Sequence, residues 1–326
     1  MTESRPPVLY LGASDVVRLN IPFQEVLRAI DEILKAYRVD RAIGAPKAFL
    51  NVPDGPRLQA MPAYLPHKGI SSMKWLSILP SSGSGPSIVS TLLVNDLRDG
   101  RLLAIMDGGW ITAQRTAAMT ALAARALAKA DSRRIGFIGA GVQARSNLEA
   151  LVSVLPSLAE VTVLERRSGS SAELCRFAEG RGLKARTTVV AEECILEQDI
   201  VVSSVPSAGL SEPFLNADLL KAGGFASLVD LGRSWLPESL RRIEVVATDD
   251  RQQSSIIAAS GKMNHAGPYH FDLTELAAGA GETLPEASRR IFIFAGIGIC
   301  DMALGALCYE KASESGIGRH LPSLLD

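Results

Sequence analysis

A short glycine-rich segment, residues 134–145, constrains the fold of this chain more than any other stretch. An apolar run, Ile135–Ile138, is typical of a buried parallel strand, and a helical pattern follows the turn after it. The turn and the helix start match G-x-G-x-x-A, which ends at Ala144. In this pattern the glycines permit a tight turn and let a pyrophosphate approach the backbone, and the helix N-terminus attracts phosphate. The predicted dinucleotide-binding turn consists of Gly139, Gly141, Val142 and Gln143.

An acidic residue after the next strand supports this interpretation. The apolar run Val161–Leu164 is followed by Glu165, which lies 21 positions after Ala144. A carboxylate about 20 residues after the turn is expected to bind the adenosine ribose hydroxyls of NAD. Arg166 and Arg167 come next, and an arginine there can bind the 2′-phosphate of NADP. The expected cofactor is therefore NAD or NADP, with NAD favoured.

The order of apolar patterns predicts an α/β fold. Strand and helix patterns alternate from residue 131 to about residue 250, as in a doubly wound parallel sheet of the Rossmann type. Residues 45–96 instead contain short runs separated by Pro and Gly, as in an antiparallel sheet. A long alanine-rich helix is predicted from Thr112 to about Ala130. A helix predicted over residues 301–315 is expected to return to the N-terminal part. We therefore predict a nucleotide domain, residues 131–294, inserted into an α+β domain of residues 1–130 and 295–326.

Composition narrows the classes of function. The net charge of −1 does not favour binding to nucleic acid or to a membrane surface. No apolar run reaches the roughly 18 residues of a membrane span, and the N-terminus lacks the apolar core of a signal peptide. The four cysteines include no C-x-x-C pair, and His265 and His270 do not have a zinc-ligand spacing. We expect a cytoplasmic protein that carries no metal.

Several motifs give the chain a family resemblance. They are Gln59-Ala-Met-Pro62, Met73-Lys74, Leu103-Ala-Ile-Met-Asp-Gly108, Thr112-Ala-Gln-Arg-Thr-Ala-Ala118 and the glycine turn. With them the chain resembles the ornithine cyclodeaminase/mu-crystallin family over most of its length, and Gly296 and Asp301 keep that family's spacing. The resemblance implies a homodimer of two-domain subunits that binds NAD or NADP and acts on small amino acids or their imines. It also implies that the α+β domain binds substrate and forms the dimer.

The resemblance assigns two cations to catalysis, Arg115 and Lys74. A guanidinium can bind a carboxylate through two parallel hydrogen bonds, and the family uses this position for the substrate carboxylate. A desolvated lysine near it would have a lowered pKa, which suits proton exchange with an amine or imine. Lys47, where many members carry an arginine, and Met61 are the other implied substrate contacts. A surface arginine and a solvated strand lysine remain as plainer alternatives.

The remaining expected cofactor contacts also come from the resemblance. Ser87 corresponds to a hydroxyl near the nicotinamide, although an ordinary turn serine is the alternative. Asp230 stands where asparagine is common in the family. The full set, beyond the glycine turn with Glu165 and Arg166, is Ser87, Arg115, Thr116, Ser204, Val205, Pro206, Asp230 and Leu231.

One departure from the family pattern bears on the substrate. Trp235 occupies the place of the aspartate that ornithine cyclodeaminases use on the distal amine of the substrate. An indole cannot accept a proton or form an ion pair with an ammonium group. We therefore expect Trp235 to contact an apolar or aromatic substrate tail.

These residues lead to a functional hypothesis with two alternatives. The chain is expected to be an NAD(P)-dependent oxidoreductase, either reducing a cyclic or open ketimine or oxidising an α-amino acid. One alternative is a cyclodeaminase, or an amino-acid-condensing synthase that recycles NAD. The other is a non-catalytic, nucleotide-dependent ligand-binding protein of the mu-crystallin kind, against which the retained Lys74 and Arg115 argue.

Overall fold

The computed structural model describes residues 6–53, 55–80, 87–166, 169, 171–206, 212–281 and 283–323. The chain forms two compact units, each built around its own sheet. The first unit contains the residues up to Arg115 and those from Ile297 onward, and the second is Thr116–Gly296. No described helix combines the length and apolar character that crossing a membrane requires.

The strands are numbered along the chain. They are β1 (Val8–Leu11), β2 (Ile43–Gly44), β3 (Ala48–Asn51), β4 (Arg57–Leu65), β5 (Ile70–Ile78), β6 (Ile88–Asp96), β7 (Leu102–Asp107), β8 (Arg134–Ile138), β9 (Glu160–Leu164), β10 (Lys184–Thr188), β11 (Ile200–Ser203), β12 (Phe225–Leu228), β13 (Val245–Thr248), β14 (Phe271–Asp272), β15 (Arg290–Ile293) and β16 (Arg319–Leu321).

The α-helices are numbered in the same way. They are α1 (Ala13–Arg18), α2 (Phe23–Arg38), α3 (Gly109–Leu127), α4 (Val142–Val154), α5 (Ala172–Glu179), α6 (Pro237–Leu240), α7 (Arg251–Ala259), α8 (Leu273–Ala277) and α9 (Gly298–Ser315). Arg115 and Thr116, at the boundary between the two units, are consecutive residues of α3.

The first unit contains a mixed sheet with the order β16-β1-β7-β6-β5-β4-β2, and β3 also pairs with β4. Strand β1 runs parallel to β7, whereas β3 to β7 form antiparallel pairs. In β5, Lys74 and Leu76 are buried while Trp75 between them is 45% exposed, because successive side chains point to opposite faces. Among the described residues, the face that carries Lys74 is therefore covered, whereas the face that carries Trp75 is exposed.

Helix α9 covers the buried face, where it packs against β4, β5 and β6. Its approach to the sheet is close at Gly305, where an added Cβ atom would lie 2.2 Å from Cδ2 of Leu92 on β6. A side chain at this position would require either the buried Leu92 side chain or the helix to shift. The absence of one brings the first turns of α9 next to the buried side chains of β5.

The second unit contains a parallel sheet with the order β10-β9-β8-β11-β12-β15-β13-β14. From β8 the chain continues to β9 and β10 on one side, and then returns to β11 and β12 on the other side. The direction of winding therefore reverses between β8 and β11. In open α/β sheets ligands bind beyond the carboxyl ends of the strands at such a reversal.

The predicted fold class is confirmed, with shifts at the ends of elements. Helix α3 was expected to begin at Thr112 and begins at Gly109. Two hydrogen bonds explain the extra residues: the Gly109 N–H donates to Asp107 Oδ1 at 2.9 Å, and the Thr112 hydroxyl donates to the Gly108 carbonyl at 2.6 Å. Helix α9, expected from Asp301, begins at Gly298 because the apolar residues before Asp301 are buried in its first turn.

Candidate functional site

Three buried charged side chains are bonded together in the first unit. Lys74 on β5 is completely buried, and its Nζ donates to Asp301 Oδ1 at 2.7 Å. Arg115 on α3, 6% exposed, donates from Nε to the same oxygen at 3.2 Å. Asp301 lies in the first turn of α9 and is itself fully buried. One carboxylate oxygen thus joins the two cations that the resemblance assigns to catalysis.

Burial and neighbouring charges set the proton affinities in this cluster. Burial lowers the pKa of Lys74 to about 8; Asp301 opposes this shift and Arg115 adds to it. Burial alone would raise the pKa of Asp301, but the charges of Lys74, Arg115 and Lys47 together hold it below its ordinary value. The carboxyl group is therefore ionised at neutral pH, and Lys74 changes its charge near pH 8.

Asp301 was not predicted as a site residue. The sequence shows only that Asp301 follows Gly296 at the family's spacing, which was the one signal that could have identified it. Among the described residues, no donor lies within hydrogen-bonding distance of its second oxygen, Oδ2, although that atom is buried.

The other residues predicted to bind substrate lie at different depths in the first unit. Met61 is buried on β4 and pairs in register with Lys74. Lys47 precedes β3, is partly exposed and is close enough to lower the pKa of Asp301. Ser87 is exposed just before β6, and its carbonyl accepts a hydrogen bond from the N–H of Leu79 at 2.8 Å. Lys47 and Met61 thus adjoin the buried cluster through charge and strand register.

The predicted dinucleotide turn joins β8 to α4 in the second unit. Gly139 has a φ of 106°, and an added Cβ atom would lie 2.9 Å from the hydroxyl oxygen of Ser204. Both the backbone conformation and the space therefore require glycine here. Gly141 is the N-cap of α4, and among the described residues no atom lies within 4 Å of where its Cβ would stand.

Polar atoms near this turn are buried without partners in the described part of the chain. They include Gln143 Oε1 and Ser204 Oγ. No side-chain oxygen among the described residues caps the N-terminus of α4, and Val142, its first residue, is 70% exposed. An open glycine, an uncapped helix N-terminus and orphaned polar atoms are the features that a bound pyrophosphate would complete.

The acidic and basic residues after β9 have separate contacts. Glu165 Oε1 accepts hydrogen bonds from the N–H of Gly169 at 2.8 Å and from the hydroxyl of Ser171 at 3.0 Å. The guanidinium of Arg166 lies 5.7 Å from the ring centre of Phe214. Arg167 lies outside the described residues. The carboxylate of Glu165 is thus held by its own loop at the carboxyl end of β9.

A second buried carboxylate, Asp230, lies after β12. The hydroxyl of Ser203 at the end of β11 donates to Asp230 Oδ1 at 2.9 Å, and the hydroxyl of Ser234 donates to Oδ2. Burial raises the pKa of Asp230, although the hydrogen bonds from Ser234 and Ser203 oppose that shift. The next residue, Leu231, has a φ of 64°, which is uncommon for a residue with a side chain.

Trp235 belongs to this network. It is completely buried, and its Nε1 donates to the hydroxyl of Ser203 at 2.9 Å. Ser203 and Ser234 were not predicted as site residues, because a serine in a sequence does not reveal which carboxylate it will meet. Val205, Thr116 and Asp230 are buried as well, while Ser204 and Leu231 are partly exposed and Pro206 is exposed. Apart from Thr116, which lies on α3, the predicted cofactor residues of the second unit follow the carboxyl ends of β8, β9, β11 and β12 along the chain.

Comparison with known proteins identifies the family. A sequence model of the ornithine cyclodeaminase/mu-crystallin family matches residues 11–316. The chain belongs to this family. This match confirms the family that the sequence motifs predicted.

Proteins named as amino acid dehydrogenases or imine reductases resemble the chain over nearly its whole length. Alanine dehydrogenase from Archaeoglobus fulgidus is 28% identical over 310 residues, which cover 91% of this chain and 93% of that protein. A solved archaeal alanine dehydrogenase dimer with bound NAD has a TM-score of 0.85 and 27% identity, covering 96% and 98% of the two chains. Thermococcus litoralis Δ1-pyrroline-2-carboxylate reductase, solved with NADH and L-proline, has a TM-score of 0.86 and 26% identity, covering 96% and 99%.

Proposed function

We propose that this chain is an NAD(P)-dependent oxidoreductase that interconverts a small α-amino acid and its cyclic or open imine. The observation that carries the proposal is the buried cluster of Lys74, Arg115 and Asp301, in a chain that also contains a dinucleotide turn. The family members described above act on alanine or on pyrroline-2-carboxylate, which are substrates of this class.

The first unit is proposed to bind the substrate carboxylate. Lys74 and Arg115 carry two positive charges and Asp301 one negative charge, so the buried cluster has a net charge of about +1 below pH 8. Lys47 adds a further positive charge at its edge. A carboxylate is the group that such a cluster attracts, and Arg115 can bind it through two parallel hydrogen bonds. Fixing the carboxylate orients the α-carbon, and positioning of this kind lowers the barrier to reaction.

Lys74 is proposed to exchange the proton. Its pKa of about 8 leaves the lysine mostly protonated at physiological pH, with a minor fraction in the free-base form, so both forms are available. This is the condition under which one group serves as proton donor in imine reduction and as proton acceptor in amine oxidation. Trp235 is completely buried and bonded to Ser203, so we propose that it supports the loop around Asp230.

The second unit is proposed to hold the cofactor, NAD in preference to NADP. Gly139, Gly141, Val142 and Gln143 would hold the pyrophosphate, and Ser204 would adjoin it with its unpartnered hydroxyl. Glu165 would accept hydrogen bonds from the adenosine ribose hydroxyls, because its carboxylate is held at the end of β9. The same carboxylate would repel the 2′-phosphate of NADP, which favours NAD. The bound nicotinamide supplies or accepts the hydride.

The partner is proposed to be a second copy of the chain. The face of the first-unit sheet opposite Lys74 exposes large apolar side chains on β3, β4, β5 and β6: Leu50, Tyr64, Trp75 and Val89 are each between 38% and 59% exposed. Contiguous apolar surface of this kind is typical of an interface, and homodimers are the commonest assemblies. The archaeal alanine dehydrogenase is described as a dimer.

Sedimentation tests this proposal. The wild-type protein should have twice the 34.7 kDa mass of one chain, and Trp75→Glu should give monomers. A wild-type monomer contradicts the proposal.

The activity itself can be tested by following the absorbance of NADH and NADPH. The substrates to try are pyrroline-2-carboxylate and piperideine-2-carboxylate for reduction, and a set of L-amino acids for oxidation. Arg115→Lys should raise KM by about tenfold or more, because it keeps the charge but loses the two-point contact. Arg125→Lys, on the exposed part of the same helix, is the matched control and should leave KM unchanged. No turnover with any of these substrates, despite binding of NADH, contradicts the proposed function.

The cytoplasmic location expected from the sequence remains a prediction.

A further inference from the structure

We propose that Asp301 is the positioning residue of this site: it fixes Lys74 and Arg115 on one oxygen and keeps Lys74 in its cationic, proton-donating form. The inference rests on the proposed function and extends it, because Asp301 is expected to act through the two cations without touching the substrate.

The geometry supports a positioning role. A lysine side chain has four rotatable bonds, and the 2.7 Å bond to Asp301 Oδ1 selects one place for its Nζ. The 3.2 Å bond from Arg115 Nε to the same oxygen restricts the plane of the guanidinium. Because both bonds end on one atom, a displacement of Asp301 would move both cations together. The carboxylate-binding group and the proton-exchanging group would thus keep a fixed separation.

The carboxylate itself is on a rigid support. Helix α9 is buried over most of its length and approaches the sheet closely at Gly305. Asp301 lies in its first turn, where the positive end of the helix dipole stabilises a negative charge. Sites supported by packed helices and strands hold their geometry better than sites on loops.

Charge is the second part of the argument. Without Asp301, Lys74 and Arg115 would lose the carboxylate to which both are bonded. Burial and the charge of Arg115 both lower the pKa of Lys74, and Asp301 is the group that raises it. The charged groups that act on Asp301 are Lys74, Arg115 and Lys47. Removing the negative charge therefore leaves only influences that drive the proton off Lys74.

The pH dependence of imine reduction tests this inference. With pyrroline-2-carboxylate and NADH, or the imine that the activity assay identifies, the wild-type kcat/KM should fall above about pH 8 as Lys74 loses its proton. In Asp301→Asn the fall should begin about 1–3 pH units lower, as expected for the loss of an opposite charge within bonding distance. Asn keeps the shape of Asp, and its amide nitrogen can stand at Oδ2, where no donor is lost among the described residues.

Two further variants serve as controls. Asp301→Glu keeps the negative charge and should keep the fall near pH 8, with a higher KM because the cations are displaced. Asp96→Asn removes a different buried carboxylate of the same sheet, one bound to Arg98 and Arg101, and should leave the pH profile unchanged. Binding of NADH and the far-ultraviolet circular dichroism of each variant show whether it is folded.

The outcomes separate the two proposals. Wild-type protein without turnover overturns both, whereas turnover with the same pH profile in Asp301→Asn overturns only the role of Asp301. If Asp301→Asn does not fold, Asp301→Glu decides, because it keeps the negative charge but displaces the atom to which both cations are bonded. A higher KM with the fall still near pH 8 supports the inference, whereas a KM unchanged from wild type overturns it.

Discussion

Asp301 in the first unit and Asp230 in the second are both fully buried carboxyl groups, yet their proton affinities change in opposite directions. Asp301 binds two cations, Lys74 and Arg115, and its pKa is lowered. Asp230 is bonded to the hydroxyls of Ser203 and Ser234, and its pKa is raised. Burial is equal in the two places, so the bonded partners decide whether the proton is lost or retained.

The same difference separates what the two clusters can do. A cluster of ionised groups with a surplus of positive charge attracts an anion and exchanges a proton, as we propose for Lys74, Arg115 and Asp301. Hydroxyls around a carboxyl group with a raised pKa supply bonds with little net charge. The hydroxyls of Ser203 and Ser234 bond to Asp230 and so join the end of β11 to the loop after β12. Such bonds are suited to fixing the loops beside a cofactor.

The largest expected effect is the loss of stability in Asp301→Asn. Removing one partner of a buried ion cluster leaves an uncompensated charge, and such changes cost about 3–5 kcal/mol. The cost should be larger at pH 7 than at pH 9, because wild-type Lys74 is cationic and stabilised by the Asp301 carboxylate at pH 7 but is largely neutral at pH 9. Urea unfolding of the variant and of wild type at the two pH values measures it.

Asp230→Asn is the matched control for that experiment. It makes the same substitution at a carboxyl group that is equally buried but has no ion partner within salt-bridge distance among the described residues. Its effect at pH 7 should be much smaller than that of Asp301→Asn. Equal losses in the two variants would mean that burial alone governs both sites, and the comparison would fail.

The sequence predicts the fold well because the fold depends on local patterns. The turn after β8 requires a positive φ at Gly139, which only the glycine of the local motif adopts easily. The alternation of side chains along β5 places Lys74 and Trp75 on opposite faces. Both features follow from neighbouring residues in the sequence. The bounds of α3 were less predictable, because a side chain outside the helix, Asp107, extends it.

The candidate site is less predictable because its contacts join distant parts of the chain. Lys74 and Asp301 are 227 residues apart, and no local pattern indicates that they will share a hydrogen bond. Trp235 was expected to contact the substrate, yet its indole is buried against Ser203, a residue of another strand. Residue type gave the chemistry that each group can perform, whereas its partner depended on packing.

The smaller expected effect is the pH dependence of stability in Asp230→Asn. Asp230 has a raised pKa in the folded state, so its protonation stabilises the fold below the ordinary value of 3.8, and that contribution is lost as the pH rises through the folded value. At pH 7 the wild-type fold has lost this stabilisation, whereas the variant has no such loss because an amide has no charge to bury.

The amide of the variant can keep the hydrogen bonds to both serines, because the Ser234 hydroxyl can accept as well as donate. The variant should therefore be as stable as wild type at pH 7, or more stable by about 1 kcal/mol, and the difference should shrink towards pH 3.5. Urea midpoints of both proteins between pH 3.5 and 8 measure this, and a variant that is less stable at pH 7 than at pH 3.5, relative to wild type, would show that the Asp230 carboxylate is stabilised by charge in the way that Asp301 is.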